Sequence, residues 1–161
     1  MGQQVSVKAA RTALARLAAD LGERVDLGAG SDDAPTLLFP TSAAIAAEGE
    51  RVLRGPAARI RTIVDVARRL DTGDLVVAPQ RERAELAHDL LAVPGIGPWT
   101  AGYVAMRVTR APDVLLTGDV ALRHGAAALD LPAEAKQLQA YGTRWAPWRS
   151  YASMHLWRAA P

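Results

Sequence analysis

The stretch Leu90 to Arg107, LLAVPGIGPWTAGYVAMR, reads as two helices joined by a tight turn. Pro94 ends the first helix, Gly95 and Gly97 permit a turn too tight for side chains, and Pro98 suits the first residue of the second. Such a turn leaves the backbone N–H groups of residues 95 to 100 pointing outward at a helix N-terminus. That is a phosphate site needing neither Lys nor Arg. A bare G-x-G is equally a plain αα-turn. Here it comes as L-x-x-V-P-G-I-G, whose apolar residues lock both flanking helices.

Outward from this hairpin the chain continues in helical spacing. Val7, Ala10, Leu14, Leu17 and Leu21 recur on one face, with Gly22 as a stop. Leu27 to Pro40 is rich in Gly, Asp and Pro and is expected as a loop. Thr41 should cap a short Ala-rich helix to about Glu48. Pro56 should open a helix through Ile60, Ile63, Val64 and Ala67 that ends before Gly73. Pro79 is expected to open the next, carrying Leu86, Leu90 and Leu91. Beyond the hairpin, a helix from Trp99 to Arg110 is broken by Pro112, and Val114 to Thr117 is an extended link. Asp119 to Leu129 is helical, Pro132 to Trp145 contains one more helix, and Pro147 starts the last. No sustained period-2 alternation occurs. The expected class is all-α, with roughly seven to nine short helices.

Composition limits the rest. The chain has 161 residues, enough for one cored domain, and half of it is apolar, with much Ala and a single Phe. It has no Cys, which excludes a disulfide framework, a thiolate zinc site and a Cys-ligated iron–sulfur cluster. His88, His124 and His155 lie too far apart in sequence for a metal-ligand spacing. No apolar run approaches the ~18 residues of a membrane span, and the N-terminus lacks a basic-then-apolar layout. These features suggest a cytoplasmic protein. Net charge is +2, with Arg dominant and Lys8 and Lys136 the only lysines. That balance fits a polyanion partner without requiring one.

The hairpin together with PDVLLTGDVALR, which places Asp119 downstream of Trp99, resembles the helix-hairpin-helix DNA glycosylases. Within that family it is most similar to the bacterial branch acting on alkylated purines of the 3-methyladenine type. The likeness runs from Gln3–Ser6 through Phe39–Thr41 to WAPWRSYASMHLW at Trp145–Trp157, nearly the whole chain. It implies one glycosylase domain over residues 1–161, built of helices around a DNA-facing cleft. The implied partner is duplex DNA carrying alkylated bases, and the likeness implies neither a membrane nor a protein partner.

Excising a base takes the sugar through an oxocarbenium-like cation, which a nearby carboxylate stabilises while orienting water. The resemblance assigns that role to Asp119. By residue type alone, Asp119 after Gly118 is an N-cap for the following helix, and the two roles are compatible. Trp99 stands where strand-cleaving relatives carry a Schiff-base Lys, which implies base removal alone, leaving an abasic site. Trp99, Tyr103 and Trp157 match the family's aromatic base pocket, where a cationic alkylpurine over a ring gains about 0.5–2 kcal/mol. They serve equally as packing residues. Tyr103 lies one turn after Trp99 and shares its face.

The likeness further implies DNA-backbone contacts at Gly95, Ile96, Gly97 and Thr100, and a wedge at Gln4 for the flipped, bent duplex. It implies a monovalent cation on the carbonyls of Leu91, Val93 and Ile96, and no required cofactor. Arg149 supports the active-site helix through a salt bridge or touches DNA. Met1–Gln4 fall where the resemblance places the family's interior, so its preceding helix and its branch's N-terminal β-rich domain are expected to be missing from these 161 residues. The apolar stripe of Ser6–Leu21 is therefore expected to be partly bare and to favour self-association. A DNA-binding domain without turnover and a glycosylase for deaminated or oxidised purines are the alternatives.

Overall fold

The structure, a computed structural model, describes residues 7–25 and 36–161, with the Val7 side chain outside that description. Gln4 and most of the expected 27–40 loop lie outside the described residues. Among those described, eight α-helices and one 3-10 turn make up the regular structure. Extended chain pairs at one isolated antiparallel bridge, Arg24 with Leu37. The all-α class holds. Two compact units form, residues 1–76 with 93–95, and residues 77–92 with 96–161.

In the first unit, α1 (Val7–Leu21), α2 (Ser42–Val52) and α3 (Ala57–Thr72) surround Leu17, Ile45, Leu53, Val64 and Ala67. Thr41 caps α2, its hydroxyl accepting from the Ala44 N–H at 3.2 Å. The helix runs past Glu48 to Val52, and Arg51 reaches back to Glu48 at 2.9 Å across one turn. Gly49 lets α2 approach α3, since a Cβ there would stand 2.9 Å from Val64 Cγ2. Pro56 is the N-cap of α3 rather than its first residue: its ψ of 134° is extended, and helical geometry begins at Ala57. Gly73 ends that helix in the left-handed region, φ 82°. Along α1, Leu17 is buried, Ala10 and Leu21 are half-buried and Leu14 is exposed. The bare stripe expected there narrows, among the described side chains, to Leu14.

The second unit holds α4 (Arg83–Leu91), α5 (Pro98–Thr109), α6 (Val120–Ala128), α7 (Ala135–Tyr141), the 3-10 turn Gly142–Trp145, and α8 (Arg149–Ala159). Its core is Met106, Val114, Leu116, Leu122, Ala126, Leu138 and Leu156. Leu122 and Leu138 are fully buried, each contributing roughly 1.5–3 kcal/mol of transfer free energy. Gly125 brings α6 against α8, because a Cβ there would run into the Leu156 carbonyl. Two helix starts differ from expectation. Pro79 lies in a turn, and α4 opens after Glu82, whose carboxylate accepts from the N–H groups of Ala84 and Glu85. Likewise α8 begins at Arg149, two residues after Pro147. In both, partners for the first-turn N–H groups set the start: Glu82, past the proline, for α4, and Pro112 and Asp113 of a distant segment for α8. At its other end α5 stops because Arg110 turns left-handed, φ 55°, ahead of Pro112.

Candidate active site

Asp119 sits at the end of an extended segment that α8 clamps. The Arg149 guanidinium bonds both carboxylate oxygens of Asp113, at 2.5 and 2.7 Å, and the Arg149 N–H donates to the same group at 3.3 Å. The Ser150 N–H donates to the Pro112 carbonyl at 2.8 Å. The Ser150 hydroxyl donates to the Ala111 carbonyl at 2.7 Å and accepts the Val114 N–H at 2.9 Å. Ser153, fully buried, donates to the Val114 carbonyl at 3.1 Å. Asp113 thus closes the N-terminus of α8 from another segment. The bond from Arg149 holds the Asp113 carboxyl below the usual carboxylate value, and Asp113 raises Arg149 in return. Arg149 is the structural ion pair the sequence allowed for. Its partner Asp113, and the roles of Ser150 and Ser153 in the same clamp, were not legible, since nothing in WAPWRSY tells which segment is gripped.

Both oxygens of Asp119 have donors. Oδ1 accepts the Leu122 N–H at 2.8 Å, capping α6, and Oδ2 accepts the Trp99 indole N–H at 2.7 Å. The capping role and an available carboxylate coexist, because each oxygen can accept twice. Trp99 stacks on Tyr103, centroids 5.3 Å apart and planes 7° apart. Tyr103 meets Trp157 edge-on at 5.9 Å and 72°. All three are half-buried against the core of this unit. Packing role and aromatic row are therefore the same arrangement, and the hydrogen bond ties the row to the carboxylate.

In the hairpin, Gly95 lies at φ 89°, and a Cβ there would strike the Thr62 hydroxyl. That hydroxyl donates to the Pro94 carbonyl at 3.0 Å, so Thr62 of α3 holds the turn. Thr62 gave no signal in the sequence, being one of many polar residues on a helix. Gly97 differs from what the turn predicted. At φ −96°, ψ 173° its backbone suits any residue, and a Cβ would meet nothing within 4 Å. The fold does not require glycine there. Gly97 is the N-cap of α5, which has no side-chain cap and has Pro98 in its first turn, with Thr100 just behind. Gly97 itself therefore gives this helix N-terminus no side-chain cap.

No protein-family model matches the chain. The fold is that of the helical DNA glycosylases: the 3-methyladenine DNA glycosylase of Schizosaccharomyces pombe, solved in complex with abasic DNA, superposes with a TM-score of 0.78 at 23% identity, over 97% of this chain and 74% of that one. A DNA-3-methyladenine glycosidase from Bacillus halodurans aligns at 28% identity and TM-score 0.68, over 98% and 70%. The chain is homologous to the DNA-3-methyladenine glycosylase 2 proteins, being 34% identical to that of Escherichia coli over 98% of this chain and 54% of the relative. It is 41% identical to a probable bifunctional transcriptional activator/DNA repair enzyme of Mycobacterium tuberculosis, over 98% and 31%. The chain spans about half and about a third of the length of these two relatives.

Proposed function

We propose that this chain excises alkylated purines from duplex DNA as a monofunctional glycosylase. The observation that carries the reading is Asp119, held at both oxygens beside the Trp99–Tyr103–Trp157 row. The C1′–N bond breaks with its electron pair leaving on the base, and a water oxygen bonds to C1′ and gives up a proton. Asp119 offsets the positive charge that develops on the sugar. A base already cationic leaves readily, so one carboxylate suffices. The name of the Escherichia coli homologue supports alkylpurines over other lesions.

The hairpin is the DNA-backbone contact in this reading, with Gly95, Ile96, Gly97 and Thr100 around an N-terminus open to phosphate. The wedge at Gln4 and the cation on the carbonyls of Leu91, Val93 and Ile96 rest on the resemblance. No helix among the described residues is long and apolar enough to cross a membrane, and we place the protein with cytoplasmic DNA. Release of free base from DNA treated with a methylating agent tests the function. Binding of that DNA without release would leave a DNA-binding module, and release confined to deaminated or oxidised purines would change the substrate.

A further inference from the structure

We propose that Trp99 is a positioning residue whose indole N–H fixes the orientation of the Asp119 carboxylate, so that one side chain serves both the base platform and the charge that drives excision. The inference rests on the glycosylase reading for its catalytic consequence and on the geometry for the bond itself.

A capping carboxylate can be held at one oxygen, and Glu82 ahead of α4 is such a case, its Oε2 accepting the N–H groups of Ala84 and Glu85 at 2.6 and 3.1 Å. Asp119 has the same kind of bond from Leu122 at Oδ1, but its other oxygen is taken by Trp99 at 2.7 Å. Two donors on opposite oxygens remove the rotation that a cap alone permits. A bond to an ionised acceptor is stronger than one between neutral groups. Indole can only donate, so the bond has a single polarity, with Asp119 as acceptor.

The donor is itself held in place. Tyr103 lies flat on one face of Trp99, and Trp157 stands edge-on to Tyr103. With that face covered by Tyr103, a base that stacks on Trp99 takes the other, and the edge of the same indole carries the carboxylate. The position of the charge is thereby registered to the position of the base. A platform role alone would need an aromatic ring at 99; this role needs its N–H.

The experiment separates the two. Trp99→Phe keeps a flat ring and loses the donor. In single-turnover release of methylated purine from duplex DNA, it should slow the chemical step by about 10- to 100-fold, the scale of a lost hydrogen bond to a charged group. DNA affinity should stay close to wild type. In an Asp119→Asn background the same substitution should cause little further loss, because Trp99 acts through Asp119. An equal loss in both backgrounds, or no loss, overturns the proposal. If the Phe variant does not fold, incorporating 3-benzothienylalanine at position 99, which replaces the N–H by sulfur at nearly the same shape, makes the same comparison. A readout independent of activity is the indole proton resonance of Trp99, assigned by its absence in Trp99→Phe. It should exchange slowly with water, and it should shift and exchange faster in Asp119→Asn. A resonance indifferent to Asp119 overturns the proposal whatever the activity. A wild-type chain that releases no base but shows the Asp119-dependent resonance sinks the glycosylase reading and leaves Trp99 as the residue that orients Asp119.

Discussion

The N-termini of α5 and α6 are built to opposite ends. At α6 a carboxylate closes the first turn, and an indole holds its second oxygen. At α5 the cap is a glycine with no side chain, followed by a proline with no N–H. One terminus fixes a negative charge belonging to the protein; the other, in the proposed function, meets a phosphate of the DNA. The two glycines of the hairpin divide along the same line. Gly95 is required by the fold through its positive φ and Thr62, whereas a Cβ at Gly97 would meet nothing within 4 Å among the described residues.

The largest effect should come from the closed terminus. Asp119→Asn keeps an oxygen for the cap and removes the charge, and base release should fall by about 10²–10³. DNA affinity should barely change. A variant with near wild-type turnover in the base-release assay would remove Asp119 from the mechanism.

At the open terminus, the two glycines should fail differently. Gly97→Ala should weaken binding to damaged and undamaged duplex alike by about tenfold, the scale of a lost bond to a phosphate. Its melting should move by the equivalent of less than about 1 kcal/mol, as a cap change does. Gly95→Ala should instead cost about 1–3 kcal/mol of stability from its left-handed backbone, with Thr62 displaced as well. Titrations with both duplexes and melting curves of both variants check this. Equal behaviour of the two variants would erase the distinction between fold and ligand.

The clamp behind Asp119 should show in acid. Arg149 lowers the Asp113 carboxyl in the folded protein, so that contribution is present above the usual carboxylate range and lost as pH falls through the lowered value. Wild-type melting temperature should therefore drop on acidification. Asp113→Asn should start lower and fall less. Part of the slope should persist, because backbone N–H groups of Lys136 and Gln137 lower Glu134 in the same direction. The pair is partly exposed, so the difference should be small. The smallest expected effect is none: borohydride should trap no covalent adduct between the chain and DNA, because position 99 offers no amine. A trapped band on a denaturing gel would show that another amine reacts with the sugar.

Much of this arrangement was legible from local chemistry. Proline, glycine and capping residues mark helices and turns within a few residues of themselves, so Thr41, Gly73 and Asp119 stand where the sequence put them. Pro79 and Pro147 misled because a proline permits a helix start, while partners for the first N–H groups decide it.

By itself the sequence determined the all-α class, the hairpin and the capping place of Asp119, because each follows from residue type and short spacing; the roles of Asp119 and the aromatic residues came from the family resemblance. Only the tertiary structure decided that Trp99 donates to Asp119, that Thr62 pins the turn at Pro94, and that α8 grips the segment leading to the site. Those bonds join residues 20, 32 and 36 positions apart. No local rule links such residues; the packing of separate helices brings their donors and acceptors within reach.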